Sequence, residues 1–299
     1  MQSIKIILVV CIISLSFTKS YACDSCGGNI GSTFNGLLSL RNSNYITMKW
    51  DYTSYISSKS SSHNIQDYFH AIQLSGRYQI KNNWSVQAFV QYLSKSRTED
   101  SNTSIFSGLG DAIASLNYAI PGDVFCSIRK SAEFAAGLKM PTGKYKSSLH
   151  DVNLPQNFNL GTGGLGYFVS GNFSLSGARN GMAIYSAYIL ESKSPDGYKF
   201  GNTWSNNLSI FRKQSISPSY TILGSTGLVY EKQDIERFAN GNKVVASGSE
   251  ALLIPISLGI THQKWMVQAK YSMPIYQNFT NHELNMTNRV SVQFSYFLN

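Results

Sequence analysis

From residue 45 onward, apolar and polar side chains alternate one for one, in runs of about 9 to 13 residues set apart by Gly, Asn, Asp, Ser and Pro. An extended chain sends successive side chains to opposite faces, so each run predicts a strand with one apolar and one polar face. In 45–56, Ile46, Met48, Trp50 and Tyr52 share one face, and Thr47, Lys49, Asp51 and Thr53 the other. In 68–80, Ile72, Leu74, Tyr78 and Ile80 oppose Gln73, Ser75, Arg77 and Gln79. Further strands are predicted at 84–92, 108–120, 131–140, 165–175, 182–190, 200–212, 219–230, 251–261 and 265–275. In the last run, 288–299, Val290, Val292, Phe294 and Tyr296 oppose Arg289, Ser291, Gln293 and Ser295.

Twelve such runs are an even number, and the connections between them alternate in kind. Those after the even-numbered runs are tight turns such as Lys81-Asn82-Asn83 and His262-Gln263-Lys264; those after the odd-numbered runs are longer and more polar. Transmembrane β-barrels show this asymmetry, with short turns at the periplasmic end and long loops outside. Each run is long enough to cross a bilayer core at a barrel's tilt. A secreted β-sandwich, which would suit the same composition, has shorter strands and no reason for its loops to alternate in length. The expected fold is therefore all-β: an antiparallel up-and-down transmembrane β-barrel of about 12 strands over 44–299. Trp84, Tyr220 and Trp265 open runs, and Tyr92, Tyr118 and Tyr230 lie near run ends, where aromatic girdles sit at the headgroups. The last run resembles the closing strand of such barrels, although that strand usually ends on Phe or Trp, whereas Leu298 and Asn299 follow Phe297 here.

Composition agrees with this reading. Charged residues make up 14% of the chain, where about 25% is usual in soluble proteins, and Tyr 18, Phe 16 and Gly 24 are high counts. Low charge with abundant Ser, Asn, Gln and Tyr fits an apolar skin around a neutral polar lumen. The first 22 residues read as an export signal: Lys5, an apolar run over 6–17 and Ser20-Tyr21-Ala22 as a small-x-small cleavage site before Cys23. The run is short for a membrane anchor. Lipidation of Cys23 is the alternative, though Ser20 stands where a lipoprotein box usually has Leu. Removing Lys5 and Lys19 takes the net charge from +9 to +9 − 2 = +7. No block of Lys and Arg marks a nucleic-acid surface.

Four features carry candidate chemistry. First, Lys49, Arg77, Asp111, Glu133, Lys139, Lys270 and Arg289 fall on polar faces, hence in a lumen, where they could select a solute or simply pair with one another. Second, Cys23 and Cys26 open a Gly-rich segment over 23–43 that is expected to be periplasmic; the pair could form a disulfide, exchange with one, or share a metal. A zinc or copper site needs more ligands than this pair supplies, Cys126 stands alone, and no cofactor is expected. Third, Gly161-Thr162-Gly163-Gly164 lacks the Lys-Ser/Thr of a phosphate loop, so it reads as a hinge from loop to strand, and Pro141-Thr142-Gly143 reads as a turn at the outer rim. Fourth, a barrel lipid hydrolase would need a Ser–His pair on one strand face; the histidines His63, His70, His150, His262 and His282 are scattered instead, and no Gly-x-Ser-x-Gly occurs.

Four stretches in order, Phe106-Ser107-Gly108-Leu109-Gly110-Asp111, Gly137-Leu138-Lys139-Met140-Pro141-Thr142-Gly143-Lys144-Tyr145, Leu160-Gly161-Thr162-Gly163-Gly164 and Tyr198-Lys199-Phe200-Gly201-Asn202, resemble the outer-membrane proteins grouped under the meta-pathway of phenol degradation. The resemblance covers about 106–299 and implies a barrel more strongly than any one solute. It implies channels for small, often apolar or aromatic compounds. Cys23-Asp24-Ser25-Cys26-Gly27-Gly28 resembles the Cys-x-x-Cys-Gly start of related Bacteroidetes-type barrel proteins. The reading reached is a non-enzymatic passive channel in a Gram-negative outer membrane, exported through a cleaved signal. Its lumen charges and the loop over 141–164, with Pro141, Thr142, Gly143, Gly161 and Gly163, would tune permeation. Membrane lipid, the barrel-insertion machinery and a small solute are the expected partners. The alternatives are a scaffold whose Cys23–Cys26 segment does redox or metal work, and a barrel-embedded lipid hydrolase.

Overall fold

The computed structural model describes residues 43–57, 65–99, 102–120, 122, 124–125, 128–150, 158–245, 247–279 and 284–298. The export segment, Cys23, Cys26, Cys126, His63 and His282 lie outside them. Fourteen strand segments follow in order: β1 (Tyr45–Ser57), β2 (Ile65–Lys81), β3 (Trp84–Glu99), β4 (Asn102–Leu109), β5 (Ala112–Ile120), β6 (Val124–Phe125), β7 (Ile128–Met140), β8 (Gly166–Ser176), β9 (Asn180–Glu191), β10 (Thr203–Ser215), β11 (Tyr220–Gln233), β12 (Ser249–His262), β13 (Trp265–Phe279) and β14 (Leu284–Phe297). β4 and β5 are the two halves of one broken stave, both paired to β3, and β6 is a two-residue addition to β7. Fourteen segments less these two leave 14 − 2 = 12 staves. All pair antiparallel with their neighbours, and β14 pairs back on β1 from Tyr45↔Phe297 to Ser57↔Leu284, closing the barrel. Closure removes the open edge that a sheet of alternating apolar residues would otherwise present.

The period of two decides which side chains go where. Ile46, Met48, Leu74, Phe134, Ile256 and Phe294 stand outward and exposed, while Thr47, Lys49, Gln73, Gln87, Gln268 and Ser295 turn inward and are buried. An exposed apolar band running round the whole barrel has no stable place in water and fits a bilayer. Aromatic groups flank it. At the short-turn end His262 stacks on Tyr220 at 4.3 Å and lies 5.3 Å from Trp265, and Trp84 meets Tyr118 at 4.8 Å. Further along the wall Trp50, Tyr52 and His70 cluster within 6.2 Å.

Several sequence expectations need correction. The connections after the third and eleventh staves are not long. β3 and β4 are separated by residues 100–101 alone, and β13 and β14 by 280–283. Alternation continues past the predicted ends, so these hairpins extend as strand beyond the apolar band. The long connections are 141–165, 192–202 and 234–248, with 58–64 intermediate. Asp111 is buried on the inner side together with Ile113, Ser115 and Asn117, but it sits in the break between β4 and β5 and not within a strand. The break arises where Gly110 lies so close to Gln91 that a Cβ would meet its side chain at 2.8 Å, and the inward parity changes from Phe106 and Gly108 to Ile113, Ser115 and Asn117. Leu298 does not spoil the closing strand. It is exposed in the same outward series as Phe294 and Tyr296, while Phe297 turns inward beside Tyr45 and Met266.

A bulge in β14 also matters. Its register with β1 passes from Ser54↔Asn288 to Tyr55↔Met286, so Thr287 is the extra residue and the parity changes there. Met286 and Leu284 consequently turn inward. They join Tyr55, Phe69, Val229, Leu253 and Phe279 in an apolar layer inside the long-loop half of the barrel.

Candidate functional site

The inward faces bring most of the predicted lumen charges together in pairs. Arg77 on β2 reaches across to Glu133 on β7 through a two-pronged contact of 2.5 and 3.1 Å. Two parallel N–H···O bonds fix both position and orientation, which a single lysine contact would not. Arg289 on β14 meets Glu231 on β11 at 2.7 Å, again spanning the lumen. Lys49 pairs with Asp51 on its own strand at 2.7 Å, and Asp51 also accepts a hydrogen bond from Ser291 at 2.5 Å. Lys270 on β13 points into the same space and lies within electrostatic reach of Lys49, Asp51, Arg289 and Glu231. It makes no hydrogen bond or ion pair among the described residues.

The second group forms around Asp111. Its Oδ1 accepts from the backbone N–H of Gly143 at 3.0 Å, and its Oδ2 from the backbone N–H and the hydroxyl of Thr162, each at 2.9 Å. Lys139 adds its ammonium at 3.4 Å from the same carboxylate, 2.8 Å from the Thr162 hydroxyl and 2.6 Å from Glu191. Thr142 closes the arrangement by accepting from the backbone N–H of Ala112 at 2.8 Å. Gly143 and Gly161 touch: a Cβ on either would stand 2.7 Å from the other's backbone. Gly163, at φ +65°, lies against the Tyr145 ring. Lys139, Asp111, Thr142, Gly143, Gly161 and Gly163 are thus one staple that pins both ends of loop 141–165 to the inner wall, and Pro141 stands exposed at its edge. The turn expected at the outer rim is part of this staple, and Thr162 within it is buried.

The staple sends the described part of loop 141–165, with Leu149 and Phe158, into the barrel mouth. Phe158, only 1% exposed, packs edge-on against Phe69 and Phe106 beneath the Arg97 guanidinium, which lies 5.2 Å from its ring. Arg97 is itself held two-pronged by Asp67 at 2.5 and 2.7 Å, and Lys95 donates to the Asn159 carbonyl at 2.9 Å. The sequence reading missed Lys95, Arg97 and Asp67. The signal was present: Leu93, Lys95 and Arg97 continue the inward period of β3 that was expected to end at Tyr92. Glu191 and Glu231 were missed because their strands run past their predicted ends.

Above the mouth, loops 141–165, 192–202 and 234–248 pack as a cap through Tyr145, Tyr198, Phe200, Phe238 and Val244. Short bridges Lys193↔Lys199, Lys199↔Arg237 and Arg237↔Lys243 hold the last two loops together. Glu236, 1% exposed, accepts the Tyr198 hydroxyl proton in a short hydrogen bond. Burial raises its carboxyl to about 7, against the smaller opposing effects of Tyr198 and Lys95. Burial, followed by its bond to Asp196, pushes the Tyr145 phenol up as well.

No family model matches the chain, and no curated protein matches it. Solved structures do. An outer-membrane channel from Pseudomonas putida F1 superposes with a TM-score of 0.64 at 13% identity, covering 86% of this chain and 95% of that one. The fold is that of an outer-membrane β-barrel. The translocator domain of the autotransporter NalP from Neisseria meningitidis is a looser match, with a TM-score of 0.48 at 11% identity over 90% of this chain and 94% of that chain. At these identities the likeness concerns the barrel and leaves the lumen side chains to be read from their own geometry. The phenol-pathway resemblance finds no matching family model.

Proposed function

We propose that this barrel is a passive outer-membrane channel for small solutes, narrowed at its mouth by loop 141–165 and by the ion pairs that cross its lumen. The observation that carries the reading is the interior. Arg77, Glu133, Arg289, Glu231, Lys49, Asp51 and Lys270 all face a lumen enclosed by an apolar band. Buried ion pairs are weak contributors to stability, and well-packed apolar residues would fill such a space at least as well. Charged groups retained there suit a path for polar or charged matter. Orientation follows from loop length, with the turns at 82–83, 177–179 and 263–264 periplasmic and the three-loop cap outside. Membrane lipid and the barrel-insertion machinery would then be its partners, and a cleaved export signal its route.

The same cross-lumen pairs favour a second reading, a closed barrel that passes nothing and serves as a scaffold. Purified protein in planar bilayers separates the two. The channel reading expects unitary current steps and solute-dependent swelling of proteoliposomes. Heat-modifiable, correctly inserted protein that gives neither would refute it.

A further inference from the structure

We infer that Lys270 marks a binding site for a small carboxylate with an apolar, preferably aromatic, body, at the junction between the lumen charges and the apolar layer above them. The first observation is an imbalance. Among the described residues, Lys49, Lys270 and Arg289 face Asp51 and Glu231, so three cations meet two anions there. Lys49 is committed to Asp51 and Arg289 to Glu231, leaving the Lys270 ammonium with no ion-pair or hydrogen-bond partner among the described residues. A half-buried cation without a partner is stabilised by a single anion seated against it.

The second observation is the small size of the neighbouring side chains. Lys270 is flanked in register by Ser257 on β12 and Ser291 on β14, and along its own strand by Gln268 and Ser272. Ser291 donates to Asp51, and Ser257 is bonded to Ser225 and Gln268, so these short side chains flank the ammonium while the ammonium itself is the donor on offer to a carboxylate. Glu231 Oε1, also buried without a partner, can accept from a hydroxyl or water accompanying the ligand.

The third observation sets the body of the ligand. On β14, Arg289 is followed across the bulge by Met286, and on β1 Asp51 and Thr53 lead to Tyr55. Met286 and Tyr55 belong to the apolar layer that also holds Phe69, Leu253, Phe279 and Phe158. A ligand with its carboxylate on Lys270 therefore extends its other end toward aromatic and aliphatic side chains. Phe158, borne by the loop, shows that this layer accepts an aromatic ring from the lumen side.

The site rests on the channel reading for its purpose, but binding can be measured without permeation. Benzoate, benzyl alcohol and benzylammonium are titrated against the full-length mature protein in detergent by calorimetry, and benzoate and benzyl alcohol uptake is followed in proteoliposomes. Benzoate is expected to bind at least tenfold more tightly than the other two. Lys270→Met is expected to remove that preference while leaving benzyl alcohol unchanged, and Lys270→Arg to retain it. Equal binding of all three, or benzoate binding that survives Lys270→Met, overturns the proposal. Because Lys270 has no ion-pair or hydrogen-bond partner to lose among the described residues, the variant is expected to fold, with heat-modifiable mobility as the check. Selective binding without any uptake would uphold the site and count against the channel. Uptake without selective binding would do the reverse.

Discussion

Removing the Asp111 carboxylate isolates the staple from the barrel. In Asp111→Ala, the N–H groups of Gly143 and Thr162 lose their acceptor, whereas Lys139 keeps Glu191 and the Thr162 hydroxyl keeps Lys139 and the Gly164 carbonyl. Two orphaned amide donors cost about 1–3 kcal/mol each, and relaxation or entering water recovers part of that, so a loss of about 3 kcal/mol in loop docking is expected. With each ~1.4 kcal/mol worth a factor of ten, the undocked population rises roughly a hundredfold. The barrel itself should survive, because β5 and β7 pair from Ala112↔Met140 to Ile120↔Ala132 independently of the carboxylate. Trypsin provides the assay. Lys144 and Lys146 have exposed side chains, but the Lys144 carbonyl accepts from Leu160 and Gly161, and the Lys146 N–H is held by Asn159 at 2.8 Å. Cleavage there requires the loop to open, and when reclosing is fast its rate follows the open population. Cleavage at these two lysines should accelerate roughly a hundredfold, with heat-modifiability unchanged. Asp111→Asn, which keeps one acceptor oxygen, should fall between. A wild-type cleavage rate in Asp111→Ala would refute the staple, and loss of the folded band would mean that Asp111 supports the wall rather than the loop.

Three further outcomes are expected. Arg77→Met leaves half-buried Glu133 without its partner and should destabilise the folded barrel by about 3 kcal/mol at most in guanidinium unfolding in detergent, while the double change Arg77→Met with Glu133→Leu should recover most of the loss. Glu236, raised from 4.5 to about 7, keeps its proton in the folded cap over a range where the opened loop has lost it. The folded state therefore binds more protons between about 4.5 and 7, so cap stability is greatest below that window, falls as pH rises through it and is level above. Hydrogen exchange of loop 234–248 should be faster at pH 8 than at pH 5, and Glu236→Gln should flatten the difference; exchange that slows with pH, after correction for intrinsic rates, would contradict it. Deleting 292–299 removes the pairs from Trp50↔Val292 to Tyr45↔Phe297 and reopens the edge, so no heat-modifiable, membrane-inserted form should appear in outer-membrane fractions.

What the sequence determined by itself is local. A backbone that turns each successive side chain to the opposite face makes the alternation of Met48 with Lys49, or Phe294 with Gln293, sufficient to name both the strand and the face. Turn residues placed most strand ends at the short-turn side, where two or three residues must reverse the chain. What tertiary structure decided is everything that depends on which staves close on which. Arg77 meets Glu133, and Arg289 meets Glu231, only because the sheet curls until residues three staves apart confront one another across the lumen. Nothing in the run 288–299 shows that Thr287 bulges, yet that extra residue turns Met286 inward and places an apolar layer beside Arg289. Asp111 carried the polar label of its strand, but a break at Gly110 gave it a different task, gathering two distant glycine motifs that the sequence could only read as separate turns. Pairing among lumen charges, and the lack of a partner for Lys270 among the described residues, are properties of closure, because an ion pair is set by distance in space and the alternating pattern specifies only the side of the wall.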